Sequence, residues 1–194
     1  MQQFSLLLIQ LPAMFLCIGF VVRFLGQVGR ADFYNPLGQT TLSVTNWLII
    51  PVRKVIPSLG KFDLSCLAAI YLTQLAFGAL TLIVAGYSSV ITSPQFFLMG
   101  LIGIAGAFIS VLSVSMFIMA IASFLLAGQH NPFISFITQF VDPFLSPFRK
   151  LNIQIGMLDL SFIVAILVLQ AIKMLAILPL VQFLGFPSGI FFGL

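Results

Sequence analysis

The chain has 194 residues, of which 61% are hydrophobic and only 6% charged, with a formal net charge of +4. A soluble domain carries roughly 25% charged residues, so no water-facing surface can be assembled from this sequence. The bilayer must act as the solvent, and long apolar runs without strand-like alternation choose helices as the way to satisfy the backbone there. Eight basic residues are too few for a nucleic-acid stripe, but they suit anionic lipid headgroups on one face.

The first predicted span runs from about Ser5 to Gln27. It lacks a basic n-region and a small-x-small cleavage site, so it reads as a retained helix rather than a signal peptide. Arg23, near its end, is expected to snorkel to the interface. Cys17 and Cys66 lie in or beside apolar runs with no metal or disulfide spacing, and read as buried, unreactive thiols.

The next stretch, Asn35 to Ser65, has an echo at Asn131 to Ser161. The two align without a gap at an offset of 96 residues, with nine of 31 positions identical. Each copy opens on Asn-Pro, a favoured N-cap followed by proline at the first helical position. In the second copy Phe133, Ile137, Phe140 and Phe144 form one helical stripe, away from Ser135, Thr138, Gln139 and Asp142. In the first, Leu37, Thr41, Val44 and Leu48 give a weaker one. Both helices are expected to lie in the membrane interface, the alternative being that they pack against the bundle. Each is expected to stop at a proline, within Pro51-Val52-Arg53-Lys54 or Pro147-Phe148-Arg149-Lys150. Ten residues after each arginine comes Asp-Leu-Ser, where Asp63 or Asp159 is placed to cap the following span.

From Leu64 to Val141 there is no Asp, Glu, Lys or Arg, a run long enough for two spans. A turn from Gly86 to Pro94 separates them. The third span, about Gln95 to Leu126, carries Gly100, Gly103, Ala107 and Ser110 at helical spacing, which predicts close helix packing. The fourth runs from about Leu160 to Phe183, with Lys173 near its middle and Pro179 placed to kink its last turns. The tail from Gly185 to Leu194, with Phe186, Phe191 and Phe192, is expected to rest in the interface.

The predicted fold is an all-α membrane protein. Four transmembrane helices and two amphipathic interfacial helices form two parallel helix–interfacial helix–helix repeats, about 5–87 and 95–185, in a single membrane domain spanning 1–194. Loop one holds Arg30, Arg53, Lys54 and Lys61, loop three holds Arg149 and Lys150, and loop two holds none. The positive-inside rule then puts loops one and three in the cytoplasm and both termini outside.

The repeated NP…P-x-R-K…G-x-x-D-L-S pattern, preceded by Ala31-Asp32-Phe33-Tyr34, resembles the YggT family of small membrane proteins across essentially the whole chain. In the second copy Ile153 replaces Pro57 and His130 stands opposite Tyr34. The resemblance implies a multi-pass protein of the bacterial cytoplasmic membrane with plastid relatives. It also implies links to osmotic or ionic stress tolerance and to maturation of a b-type cytochrome.

One histidine, no glutamate and no grouping of nucleophile, base and orienter argue against an enzyme, and no cofactor or metal is expected. The candidate partner- or lipid-binding residues are Arg53, Lys54, Asp63, Arg149, Lys150 and Asp159. The bland reading makes them topological anchors and helix caps. The sharper one has Arg53 and Arg149 flanking one groove and pairing with Asp159 and Asp63. Lys173 is the candidate intramembrane functional residue, with Tyr71 and Gln74 as possible neighbours; its alternative is a snorkelling lysine. The expected function is an assembly or scaffold factor at the cytoplasmic face, with anionic lipid and an unknown membrane protein or a second copy as partners. The alternative is a subunit of an oligomeric channel or transporter.

Overall fold

The computed structural model describes residues 2–58, 62–125, 131–151, 154–155, 158–159, 161–185 and 189–194. Expectations placed on Gly60, Lys61, His130, Ile153, Gly156, Leu160 and Phe186 lie outside the described residues. In chain order the helices are α1 (Gln2–Val28), α2 (Pro36–Val55), α3 (Leu64–Ala85), α4 (Pro94–Leu125), α5 (Pro132–Arg149), α6 (Ser161–Ile172) and α7 (Leu178–Phe183). A 3-10 turn, Ser88–Thr92, joins α3 to α4. A π-helical turn, Lys173–Ile177, joins α6 to α7. Among the described residues, Gln154–Ile155 pairs antiparallel with Leu158–Asp159.

Four helical stretches are long and apolar enough to cross a membrane: Gln3–Val28, Leu64–Ala85, Pro94–Ser123 and Ser161–Phe183. Their ends follow local chemistry. Asn35 and Asn131 accept from the amides of Leu37 and Phe133, capping α2 and α5 as the Asn-Pro pairs predict. Gly86 closes α3 in the left-handed region at φ 85°, where a side chain is disfavoured. The π turn before α7 has a cause in Pro179, which has no amide to donate and crowds the carbonyl one turn back. The ladder widens there, and the Leu178 amide bonds the Lys173 carbonyl instead.

Helix α1 is the hub, packing on α2, α3, α4 and α5, while α6 leans on α4 and α5. Phe20, Leu25, Phe136, Phe140 and Leu145 are fully buried in the main core. Both cysteines are buried and free. The small-residue face of α4 serves packing, as expected. A methyl group at Gly100 would lie 2.8 Å from Leu75 Cδ2 and 2.9 Å from Tyr71 Cε2.

The apolar face of α5 (Phe136, Ile137, Phe140, Val141, Leu145) is turned to the bundle. Two expectations are corrected. In α2 the buried line is Gly38, Thr41, Thr45 and Ile49, one step round from the expected stripe. Small and hydroxyl residues face inward there because α1 comes close: a methyl at Gly19 would lie 3.2 Å from Thr45 Cγ2. The prolines do not stop these helices. Helix α2 runs through Pro51 to Val55, and α5 through Pro143 and Pro147 to Arg149. All three prolines sit on exposed positions, where a lost helical bond can be made up by solvent or headgroups.

The largest departure is the tail. Phe191 is 2% exposed, and the last residues re-enter the bundle instead of resting at its edge. Buried Gln74 holds them: its amide donates to Gly103 O at 3.1 Å and Phe192 O at 2.9 Å, and accepts from the Phe192 amide at 2.9 Å. Gln10 Nε2 donates to Gly189 O at 2.8 Å. Replacing Gln74 with Leu leaves the Phe192 amide and carbonyl unmatched, at about 1–3 kcal/mol for each group. Gln74→Leu is therefore expected to lower the thermal midpoint in detergent and to expose the C-terminus to carboxypeptidase. A tail that stays protected in this variant contradicts the assignment.

Candidate functional site

Three helix ends meet at Asp63. As the N-cap of α3 it accepts from the Ser65 amide at 3.1 Å. Gln27 Nε2, from the last turn of α1, donates to Oδ2 at 3.3 Å. Arg53 Nη2, from the last turn of α2, forms an ion pair with the same oxygen. Ser65 Oγ then donates to Ile56 O at 2.8 Å, tying down the chain leaving α2. Each partner suits its place. Asp63 sits at the positive end of the α3 dipole and Arg53 at the negative end of α2. The carboxylate is 3% exposed, while Arg53 keeps an open side.

Burial by itself raises the carboxyl's pKa. The bonds from Arg53, Ser65 and Gln27, with the Arg53 charge, outweigh it and hold Asp63 below the usual carboxylate range. Around this junction lies a cleft of about 490 Å³ lined by Gln27, Arg30, Phe33, Arg53, Ser58 and Asp63, among others. Arg30 takes a left-handed conformation at φ 54°, unusual for a residue with a side chain. It closes α1 where glycine is usual, with the Ala31 amide bonding Gly26 O at 2.8 Å. Lys54 is exposed next to Arg53.

The second copy is wired differently. Arg149 Nη1 pairs with Asp142 Oδ1 at 2.6 Å, on its own helix, with both groups well exposed. Its guanidinium also stands over the Phe162 ring at 5.6 Å. Lys150 is exposed beside it. The Asp159 backbone pairs with Gln154, but its side chain lies outside the described residues. The crosswise arrangement is therefore corrected for Asp63, which pairs with Arg53 of its own copy, and Arg149 does not line the Asp63 cleft. Among the described residues, a direct polar contact joins the two copies at the starts of α2 and α5, where Asn35 Nδ2 donates to Pro132 O at 2.7 Å.

Arg23 is also corrected. It is 4% exposed rather than snorkelling, and its Nη1 donates to Thr45 Oγ1 and Asn46 Oδ1, each at 2.8 Å. Its Nε has no hydrogen-bond partner among the described residues. Arg23 and Gln27 lie one turn apart on one face of α1, a spacing that could have flagged them together. Position 46 is Asn in the first copy and Asp142 in the second, so each copy binds an arginine there, from α1 in one and from its own helix in the other.

Lys173 begins the π turn and is partly exposed. The neighbours suggested for it are engaged elsewhere. Tyr71 donates to Phe97 O at 3.3 Å and Gln74 holds the tail. Gln170, one turn before, reaches Ser113 Oγ at 3.5 Å. Among the described residues no three His, Cys, Asp or Glu side chains group as metal ligands.

A group with a depressed folded pKa stabilises above its unfolded value of about 4 and loses that contribution as pH falls through the folded value. The thermal midpoint of the wild type in detergent should therefore drop below about pH 4. Asp63→Asn should start lower at neutral pH and show a shallower acid limb. Parallel profiles for the two proteins would show that Asp63 is not the titrating support.

The CCB3/YggT family model matches twice, at residues 2–84 and 98–180. An uncharacterized protein of Pseudomonas aeruginosa is 37% identical over 168 residues, 87% of this chain and 85% of that protein. One of Vibrio alginolyticus is 33% identical over 150 residues, 77% and 80% of the two chains. The uncharacterized protein YggT of Escherichia coli K12 is 29% identical over 160 residues, 79% of each. No solved structure matches significantly. With the family's pattern running through both halves, this chain belongs to the CCB3/YggT family of membrane proteins.

Proposed function

We propose that this is a non-enzymatic assembly or scaffold factor of the bacterial cytoplasmic membrane, built from two copies of a span–amphipathic helix–span unit. The observation that carries this reading is the Asp63 junction. It fixes the end of α2 while leaving Arg53 and Lys54 open to a partner. A side chain anchored by one partner and exposed on its far side loses little freedom on binding a second. Arg149 and Lys150 stand at the matching end of α5, so each copy contributes one basic corner.

The double match of the family model supports the two-copy reading. The charge on loops one and three, against none on loop two, supports a cytoplasmic position for both corners and outward-facing termini. The partners of this surface are anionic headgroups together with a membrane protein or a second copy. The cellular role is in stress tolerance or in maturation of a membrane complex.

The test is quantitative mass spectrometry of what co-purifies from native membranes in mild detergent. Arg53→Ala with Arg149→Ala, and separately Lys54→Ala with Lys150→Ala, are each checked for normal insertion. The lysine pair leaves the Asp63 junction intact. A partner depleted at least about fivefold from both variants, roughly 1 kcal/mol, is the expected result. Full recovery from both variants removes the scaffold reading.

A further inference from the structure

Between the two halves lies a cavity of about 620 Å³, walled by α1, α2, α4 and α5. Its lining falls into pairs at the 96-residue offset: Ile18 with Val114, Gly19 with Ser115, Leu37 with Phe133. The walls are almost wholly apolar and carry no charged side chain. Phe192 of the re-entrant tail forms part of one end. At the other end Leu37, Thr40 and Phe133 are shared with a second hollow of about 380 Å³, rimmed by Asn35 and Asn131. Sideways the cavity is open, since Phe15 and Val114 on its wall remain 65% and 58% exposed.

We infer that this cavity is a binding site for one acyl chain of a bilayer phospholipid, with the headgroup end at the Asn35/Asn131 rim. The volume lies within the roughly 300–1,000 Å³ of small-molecule sites. Water is a poor occupant, because cavities with apolar walls stay dry. A partner helix is too thick: at about 10–12 Å across, little more than one turn would fit. A single flexible hydrocarbon chain fits both the width and the chemistry, and the side opening lies on helices α1 and α4, both long and apolar enough to cross a bilayer. The polar rim suits an amphipathic molecule entering from the end where α2 and α5 begin. Asn35 bridges to Pro132 there, tying the two halves together beside that rim. This site is separate from the basic corners and stands whether or not they bind a partner.

The test uses a phosphatidylglycerol carrying a photoactivatable diazirine in one acyl chain. It is added in trace amount to delipidated full-length protein in detergent, and labelled peptides are mapped by mass spectrometry. The expected result is saturable labelling of residues on the cavity wall, displaced by excess unlabelled phosphatidylglycerol. Val114→Trp and Val44→Trp, both at exposed wall positions, should cut cavity labelling at least fivefold and leave labelling around exposed Leu175 unchanged. If either variant fails to fold, the wild-type comparison of the cavity with Leu175 still decides. Labelling that does not saturate, that is no stronger in the cavity than at Leu175, or that gives way to dimers cross-linked through the Val44→Cys and Val114→Cys variants, overturns the site.

Discussion

In hydrocarbon a backbone amide has only protein to bond, and each unmatched group costs several kcal/mol. This constraint decides most of what the chain does. Four helices satisfy it within themselves. The re-entrant tail cannot, and so it depends on a side chain that mimics a strand. Gln74 offers an acceptor to the Phe192 amide and a donor to its carbonyl, with Gly103 O taking the second amide proton. The tail fits because glycines line its path: Gly106 and Gly193 meet backbone to backbone, where a side chain on either would clash. Non-helical backbone survives at this depth because it is buried in protein rather than in lipid.

The same demand explains the Asp63 junction. A helix end leaves its first amides and last carbonyls unpaired, and here the ends of α1, α2 and α3 meet. One carboxylate caps α3, accepts a hydrogen bond from Gln27 and neutralises Arg53. A charge this buried is costly unless it is both paired and bonded, and all of its partners come from the helices it joins. The second copy shows what happens when the pairing stays at the surface. Arg149 and Asp142 are both exposed on one helix, where an ion pair is worth at most about 1 kcal/mol. Sequence similarity between the halves therefore does not carry over to equal electrostatics.

Spans, caps and packing glycines were legible because each is encoded locally. Apolar length sets a span, Asn-Pro opens a helix, and Gly100 and Gly103 mark close approach. The Asp63 cap was also legible, since Asp before an apolar run has one strong local use. Its pairing with Arg53 rather than across the copies was not, because both choices satisfy charge and only packing separates them. Arg23 was misread for a related reason: nothing local reveals that Thr45 and Asn46 on α2 would meet it. The tail was hidden most deeply. Its partner Gln74 lies 118 residues away in the chain, and an apolar hexapeptide looks the same whether it meets lipid or core.

Arg53 and Asp63 form one coupled unit that fixes the end of α2. A double-mutant cycle of Arg53→Ala and Asp63→Asn, read as unfolding free energy in a fixed detergent at neutral pH, tests it most directly. A coupling of roughly 0.5–3 kcal/mol is predicted for this pair. Additive effects, with no coupling beyond error, would contradict the account.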